Sequence, residues 1–176
     1  MYIKIILIIA ILTPTKMLFD FTKDADSSQW YIVDDGVMGG LSQGNFRIND
    51  DGNGEYSGRI SLDNYGGFSS LRYRCGPTKI DNNTHLVLKV KGDGKSYQIR
   101  IKDSIYDRHS YIFSFDTSLE WETIKIPINE MYASFRGRKL NMPKFNAPKF
   151  EEVTILFGNK KEETFKLEID YIALGN

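Results

Sequence analysis

The sequence predicts an all-β chain, an antiparallel β-sandwich of jelly-roll type. Ten tyrosines, eleven phenylalanines and fifteen glycines in 176 residues favour strands and turns over helices. Apolar residues recur with period two in short runs. Clusters of Gly, Asn, Asp and Pro end those runs at short spacing, and no amphipathic helical pattern lies between them.

In order, MYIKIILIIAILTPTK (1–16) carries Lys4 and then an apolar run from Ile5 to Leu12. The run is too short for a spanning helix but suits the hydrophobic centre of a secretory leader, leaving 17–176 as a single β-sandwich domain. Leu18, Phe19 and Phe21 open the first strand. Gln29 to Val33, Asn45 to Ile48, Tyr56 to Leu62, Phe68 to Arg74 and Leu86 to Lys91 follow. Tyr97 to Lys102, Tyr111 to Phe115, Trp121 to Ile126, Val153 to Phe157 and Phe165 to Leu174 complete the series. DDG, NDDGNG, NYGG, DNN and GDG supply turns. The segment from Asn129 to Phe150 lacks periodicity and holds Pro143 and Pro148, so a helical turn followed by a long surface loop is expected there.

Alternation assigns faces. Leu86, Leu88 and Val90 oppose Val87, Lys89 and Lys91; Tyr97, Ile99 and Ile101 oppose Gln98, Arg100 and Lys102. Ile124, Ile126 and Ile128 point inward, with Trp121, Thr123 and Lys125 outward, and Arg72 shares a face with Arg74. If these strands neighbour one another in one sheet, its outer face is basic with an aromatic, a platform for an acidic partner or a sugar.

Lysine plus arginine (23) balances aspartate plus glutamate (23), which gives no reason to expect a nucleic-acid partner. Cys75 is the only cysteine, so an intrachain disulfide and a thiolate zinc site are excluded. His85 and His109 lack the close spacing of a local metal pair.

The stretch DDGVMGGLS (34–42) lacks the lysine and the terminal Ser/Thr order of a phosphate loop and leads into no helix. NDDGNG resembles a calcium loop only superficially, because its twelfth position is Ile60 rather than glutamate. Asp50 and Asp51 would merely permit a structural calcium, so the metal content stays open. Adjacent Asp34 and Asp35 diverge in an extended segment, and no serine sits in a nucleophile elbow. The reading is therefore a protein that is not an enzyme and needs no cofactor.

Together, WYIVDDGVMGGLSQGNF (30–46), EYSGRISLDNYGGFSSLRYR (55–74) and FKLEIDYIALGN (165–176) resemble the complex I intermediate-associated protein 30 family. Trp30, Asp35, Gly36, Val37, Met38, Gly39, Gly40 and Ser42 match its first motif. Gly58, Leu62, Asn64, Gly66, Gly67, Phe68, Ser69 and Arg72 match the second. Tyr56 stands where that family commonly has phenylalanine. The resemblance implies a galactose-binding-domain-like sandwich, and a role like that of members that bind intermediates of respiratory complex I.

The expected function is thus a chaperone-like, non-enzymatic protein-binding module whose partners include respiratory-complex subunits. A carbohydrate-binding module of an exported protein is the alternative. Asp34 or Asp35, Asn64 and Arg72 are expected to form a polar network between the two glycine loops. Trp30 and Phe68 would pack beside it, Gly36 would take positive φ, and Met38 would fill a gap. Candidate contacts are Arg100 and Lys102 on the basic face, Arg136 and Arg138 in the loop 134–138, and Trp121 as a sugar platform. The leader points to an exported chain, periplasmic or extracellular, without a stable span once the leader is removed; a cytoplasmic or mitochondrial location is the alternative.

Overall fold

The computed structural model describes residues 16–176, and the side chains of Val37 and Met38 are outside its description. The leader-like segment, apart from Lys16, therefore lies outside the described residues, as does the gap-filling role of Met38. Thirteen strands and three short 3-10 turns make up the regular structure, with no α-helix among the described residues.

The strands are β1 (Lys16–Asp20), β2 (Trp30–Asp34), β3 (Gln43–Ile48), β4 (Gly54–Ile60), β5 (Ser69–Lys79), β6 (His85–Lys91) and β7 (Ser96–Lys102). The remainder are β8 (Ser110–Asp116), β9 (Glu122–Pro127), β10 (Tyr132–Phe135), β11 (Arg138–Lys139), β12 (Lys149–Phe157) and β13 (Glu163–Gly175). A six-stranded sheet runs β3-β4-β13-β6-β9 with β1 added on β13, and a seven-stranded sheet runs β11-β10-β8-β7-β12-β5-β2. All pairings are antiparallel, as the all-β sandwich reading expected.

The inward residues of each alternating run make one core between the sheets. Leu86, Leu88, Val90, Leu167 and Ile169 of the six-stranded sheet meet Leu71, Ile99, Ile101, Val153 and Ile155 of the other, all but fully buried. Each such side chain contributes roughly 1.5–3 kcal/mol of transfer free energy. Aromatics fill the ends: Trp30 stacks on Tyr73 at 4.7 Å and touches Phe19, Phe21 and Phe46. Phe157 stacks on Phe165 at 4.5 Å beside Tyr97. Gly58 sits where a Cβ would lie 2.2 Å from the Gln43 carbonyl oxygen, so β3 and β4 can close only over a glycine.

Two expectations need correction. The basic strands do not share one sheet: β6 and β9 belong to the six-stranded sheet, whereas β5 and β7 belong to the seven-stranded one. Lys89, Lys91 and Lys125 thus lie on the opposite side of the molecule from Arg72, Arg100 and Lys102, and Trp121 precedes β9 rather than standing on it. Alternation reports which way a side chain faces, not which sheet carries its strand. Residues 129–150 are also more ordered than expected. A 3-10 turn at Ile128–Glu130 does follow Pro127, but β10 and β11 then form a hairpin around Arg136 and Gly137, both at positive φ. Buried Met131, Ala133 and Phe145 hold that hairpin to the core, contacts that weak alanine and serine strand propensity conceals.

Leu88→Ala should lower unfolding free energy by about 2–5 kcal/mol in urea titration. Trp121→Ala, at a 36% exposed position, should change it by no more than about 0.5 kcal/mol.

Candidate functional site

Two constructions draw on the residues singled out from the sequence. The first is a knot of loops. Beyond β2 the chain tightens into a 3-10 turn at Asp35–Met38, and the Asp35 side chain turns inward with 1% of its surface exposed. Its Oδ1 accepts the Ser42 N–H at 3.0 Å; its Oδ2 accepts those of Gly67 at 2.6 Å and Phe68 at 3.3 Å. A Cβ at Gly40 would fall 2.3 Å from Oδ1, and one at Gly66 would fall 2.6 Å from Oδ2. These glycines admit the carboxylate. Ser42 Oγ donates to the Ser61 carbonyl and accepts the Ser61 N–H, while Asn64 Nδ2 donates to the Gly39 carbonyl. Asp34 Oδ2 accepts the Gly44 N–H at 3.0 Å.

Both aspartates and Asn64 therefore tie loops together, but Arg72 is absent from this network because it leaves β5 on the outer face. The positive φ of the first loop falls at Gly39 (+89°), not at Gly36, which lies inside the 3-10 turn. Phe68 joins the knot through its N–H rather than through the Trp30 aromatic cluster. In the second loop Asn64 and Tyr65 take positive φ as well as Gly67.

The second construction is a cleft on the outer face of the seven-stranded sheet. Register sets Tyr31, Arg72, Thr154, Arg100, Ile112 and Tyr132 in one row across six strands. One step along, Glu152 lies between Arg74 and Lys102. Arg72, Arg100 and Lys102 line about 220 Å³ of free space, joined at the rim by Arg108 and Arg136 and by Phe135. The Phe135 ring lies 5.0 Å from the Arg108 guanidinium and 5.4 Å from that of Arg136. Glu152 is the only carboxylate in the lining; its oxygens accept the Tyr31 hydroxyl at 3.0 Å and the Thr154 hydroxyl at 3.2 Å. Burial first, and then the neighbouring Arg72 charge, push the Arg100 guanidinium down to about 10.

Four candidate residues, Arg72, Arg100, Lys102 and Arg136, thus meet in one place. Neither Arg138, exposed on β11, nor Trp121, which just precedes β9 of the other sheet, lines the cleft. Sequence reasoning missed Glu152 and Arg108. The first was legible: in KFEEVTILF, Glu152 alternates with Val153 and shares a face with Thr154, so a strand extended leftward would have carried it. The cleft lining holds cations and hydroxyls but no histidine or cysteine, so its evident chemistry is attraction of negative charge.

The pattern of the family described as Complex I intermediate-associated protein 30 matches residues 19–169. Among curated relatives, a Caenorhabditis briggsae protein named "Probable complex I intermediate-associated protein 30, mitochondrial" is 31% identical over 106 residues, 56% of this chain and 31% of that protein. A Drosophila melanogaster mitochondrial complex I intermediate-associated protein 30 is 24% identical over 185 residues, 91% of this chain and 62% of that protein. The chain thus spans less than two thirds of the length of these relatives. Among solved structures, a family 11 carbohydrate-binding module from Clostridium thermocellum, in complex with a mixed-linked tetrasaccharide, superposes with a TM-score of 0.66 at 17% identity. That match covers 92% of this chain and 95% of the module, and shows that the two share a jelly-roll sandwich fold. A family 29 module gives 0.52 at 10% identity, covering 92% and 90%.

Replacing Asp35 with Asn strands N–H groups of both loops and should cost about 2–4 kcal/mol, read by chemical denaturation. Burial raises the Asp35 pKa, but the hydrogen bonds from Ser42, Gly67 and Phe68 outweigh it and hold the carboxyl below its ordinary value. Its stabilisation is therefore complete above about pH 4 and lost as pH falls through the lowered folded-state value. Melting temperatures of wild type and Asp35→Asn should converge in that acid range, and a constant gap from pH 6 to pH 2 would refute the linkage.

Proposed function

The chain belongs to the complex I intermediate-associated protein 30 family, and from that premise we propose that it is a non-catalytic binding module acting in complex I assembly. In this reading it holds a protein of an assembly intermediate, in the manner of a chaperone. The observation that carries it is the extent of the family match, residues 19–169, which takes in both glycine motifs and strands of both sheets. The loop knot supports a binding rather than a catalytic role, since Asp35 spends both oxygens, and Asp34 its Oδ2, on backbone N–H groups. Among the described residues no group of three or more His, Cys, Asp or Glu could hold a metal ion.

The partner-facing surface in this proposal is the outer face of the seven-stranded sheet together with the β10–β11 hairpin. Arg136 and Arg138 stand exposed there, beside Arg100 and Lys102 in the cleft. The names of the curated relatives favour a mitochondrial location. They lend no support to the exported reading.

Carbohydrate binding is the second reading, favoured by the likeness to carbohydrate-binding modules at TM-scores of 0.52 to 0.66. Against it, the cleft is lined by five cations and a single aromatic, Phe135, whose ring already lies against two guanidinium groups. Trp121, the other platform considered, has no place in that cleft.

Tagged wild-type protein should recover complex I subunits from mitochondrial extract, identified by mass spectrometry. The double variant Arg136→Glu/Arg138→Glu should slow that association on the order of tenfold, with a reduced salt dependence. Unchanged capture would remove the hairpin from the interface. Signals above background on a glycan array would move the assignment to the sugar reading.

A further inference from the structure

We infer that the cleft between Arg72, Arg100 and Lys102 is a binding site for a phosphate group. The inference goes beyond the assembly role and does not depend on it.

Charge is the first argument. Five cationic side chains line the cleft against one carboxylate, and both Glu152 oxygens already accept hydroxyl hydrogen bonds, with Arg72 Nη1 at 4.0 Å. Among the described residues, Arg100, Lys102, Arg108 and Arg136 form no ion pair with a carboxylate. Among the described residues, a single carboxylate, that of Glu152, therefore faces five cations in the cleft.

Arg100 makes the argument specific. It stands mid-sheet on β7, flanked by Thr154 and Ile112, with Nη2 donating to Gln98 Oε1 at 2.6 Å. Its Nε is shielded from solvent and has no acceptor. A half-buried guanidinium beside a second one is costly unless an anion offsets both. Two adjacent guanidinium forks and an ammonium suit a tetrahedral oxyanion with several acceptor oxygens. Lys102 Nζ donates to the Asp107 carbonyl and retains further donors, and Ser110 adds a hydroxyl.

Size and valence select the group. About 220 Å³ is less than a typical site for a whole drug-sized molecule, so the cleft takes a headgroup or a small ion. A phosphate monoester near neutral pH carries about −1.5 to −2, against −1 for a carboxylate, and better balances several cations. The same chemistry is offered by free phosphate, by a soluble phosphate ester and by a phospholipid headgroup.

The test uses the full chain at constant ionic strength, with inorganic phosphate replacing chloride and unfolding followed by calorimetry. Wild type should melt roughly 5–10 °C higher at a hundred times its Kd for phosphate. Arg100→Leu should lose that shift while melting at or above wild type in phosphate-free buffer, because it removes an uncompensated charge. Arg72→Gln, which retains a polar side chain on the sheet surface, should weaken the phosphate response at least tenfold and serves if the first variant does not fold. Lys89→Gln, on the opposite sheet, should keep the full response. Glycerol phosphate and vesicles of phosphatidylcholine with or without phosphatidic acid then separate the sources. Arg100-dependent binding to the phosphatidic acid vesicles alone assigns a lipid headgroup, and Arg100-dependent shifts with the soluble species assign a free ligand. A shift matched by chloride, one retained in Arg100→Leu, or binding of an acidic peptide without any phosphate response would overturn the inference.

Discussion

One buried carboxylate joins the edges of the two sheets. Asp35 leaves β2, at the edge of the seven-stranded sheet, and holds the N–H groups of Gly67 and Phe68 just before β5 of that sheet. It also holds the N–H of Ser42, just before β3 of the six-stranded sheet, and the Ser42–Ser61 exchange extends the tie to the end of β4. A charge so deeply placed is tolerated because each oxygen meets oriented N–H groups. The closeness of those groups in turn demands glycine at positions 40 and 66. The sequence signature most suggestive of chemistry is thus the mark of a joint.

How much of this was legible follows from what each signal measures. Period-two alternation located most strands and their inward faces, because burial on one side of a pleated strand leaves a local record. It could not distribute the strands between sheets, since successive strands cross from one sheet to the other and pairing is non-local. Lys125 and Arg100 read alike as outward cations and end on opposite faces. The hairpin of β10 and β11 escaped because Ala133 and Ser134 pack through position rather than through hydrophobic pattern. Arg72 belongs to the second motif and so reads as a partner of the loop network, yet alternation within FSSLRYR already sets it apart from the core-facing Leu71 and Tyr73.

The division of the two outer faces follows from the same topology. On the six-stranded sheet, Lys166 pairs with Glu55 and Glu168, and Arg47 pairs with Glu55, so these two cations are balanced at short range. Across the seven-stranded sheet the row through Arg72 and Arg100 meets only Glu152, and the Tyr31 and Thr154 hydroxyls already occupy that carboxylate. The seven-stranded face therefore gathers its cations in one cleft, where they hold unspent charge against a rigid strand scaffold.

The last strand has a consequence for how the molecule comes into being. β13 pairs with β4 through Glu163–Ile169, with β6 through Glu168–Gly175 and with β1 from Asp20 to Lys16, so it is the spine on which most of the six-stranded sheet is assembled. Until that segment emerges from the ribosome, β1 and β4 lack the neighbour that saturates their backbone groups, and half of the core has no lid. The sandwich therefore cannot close until β13 has been made, and the nascent chain stays open up to that point.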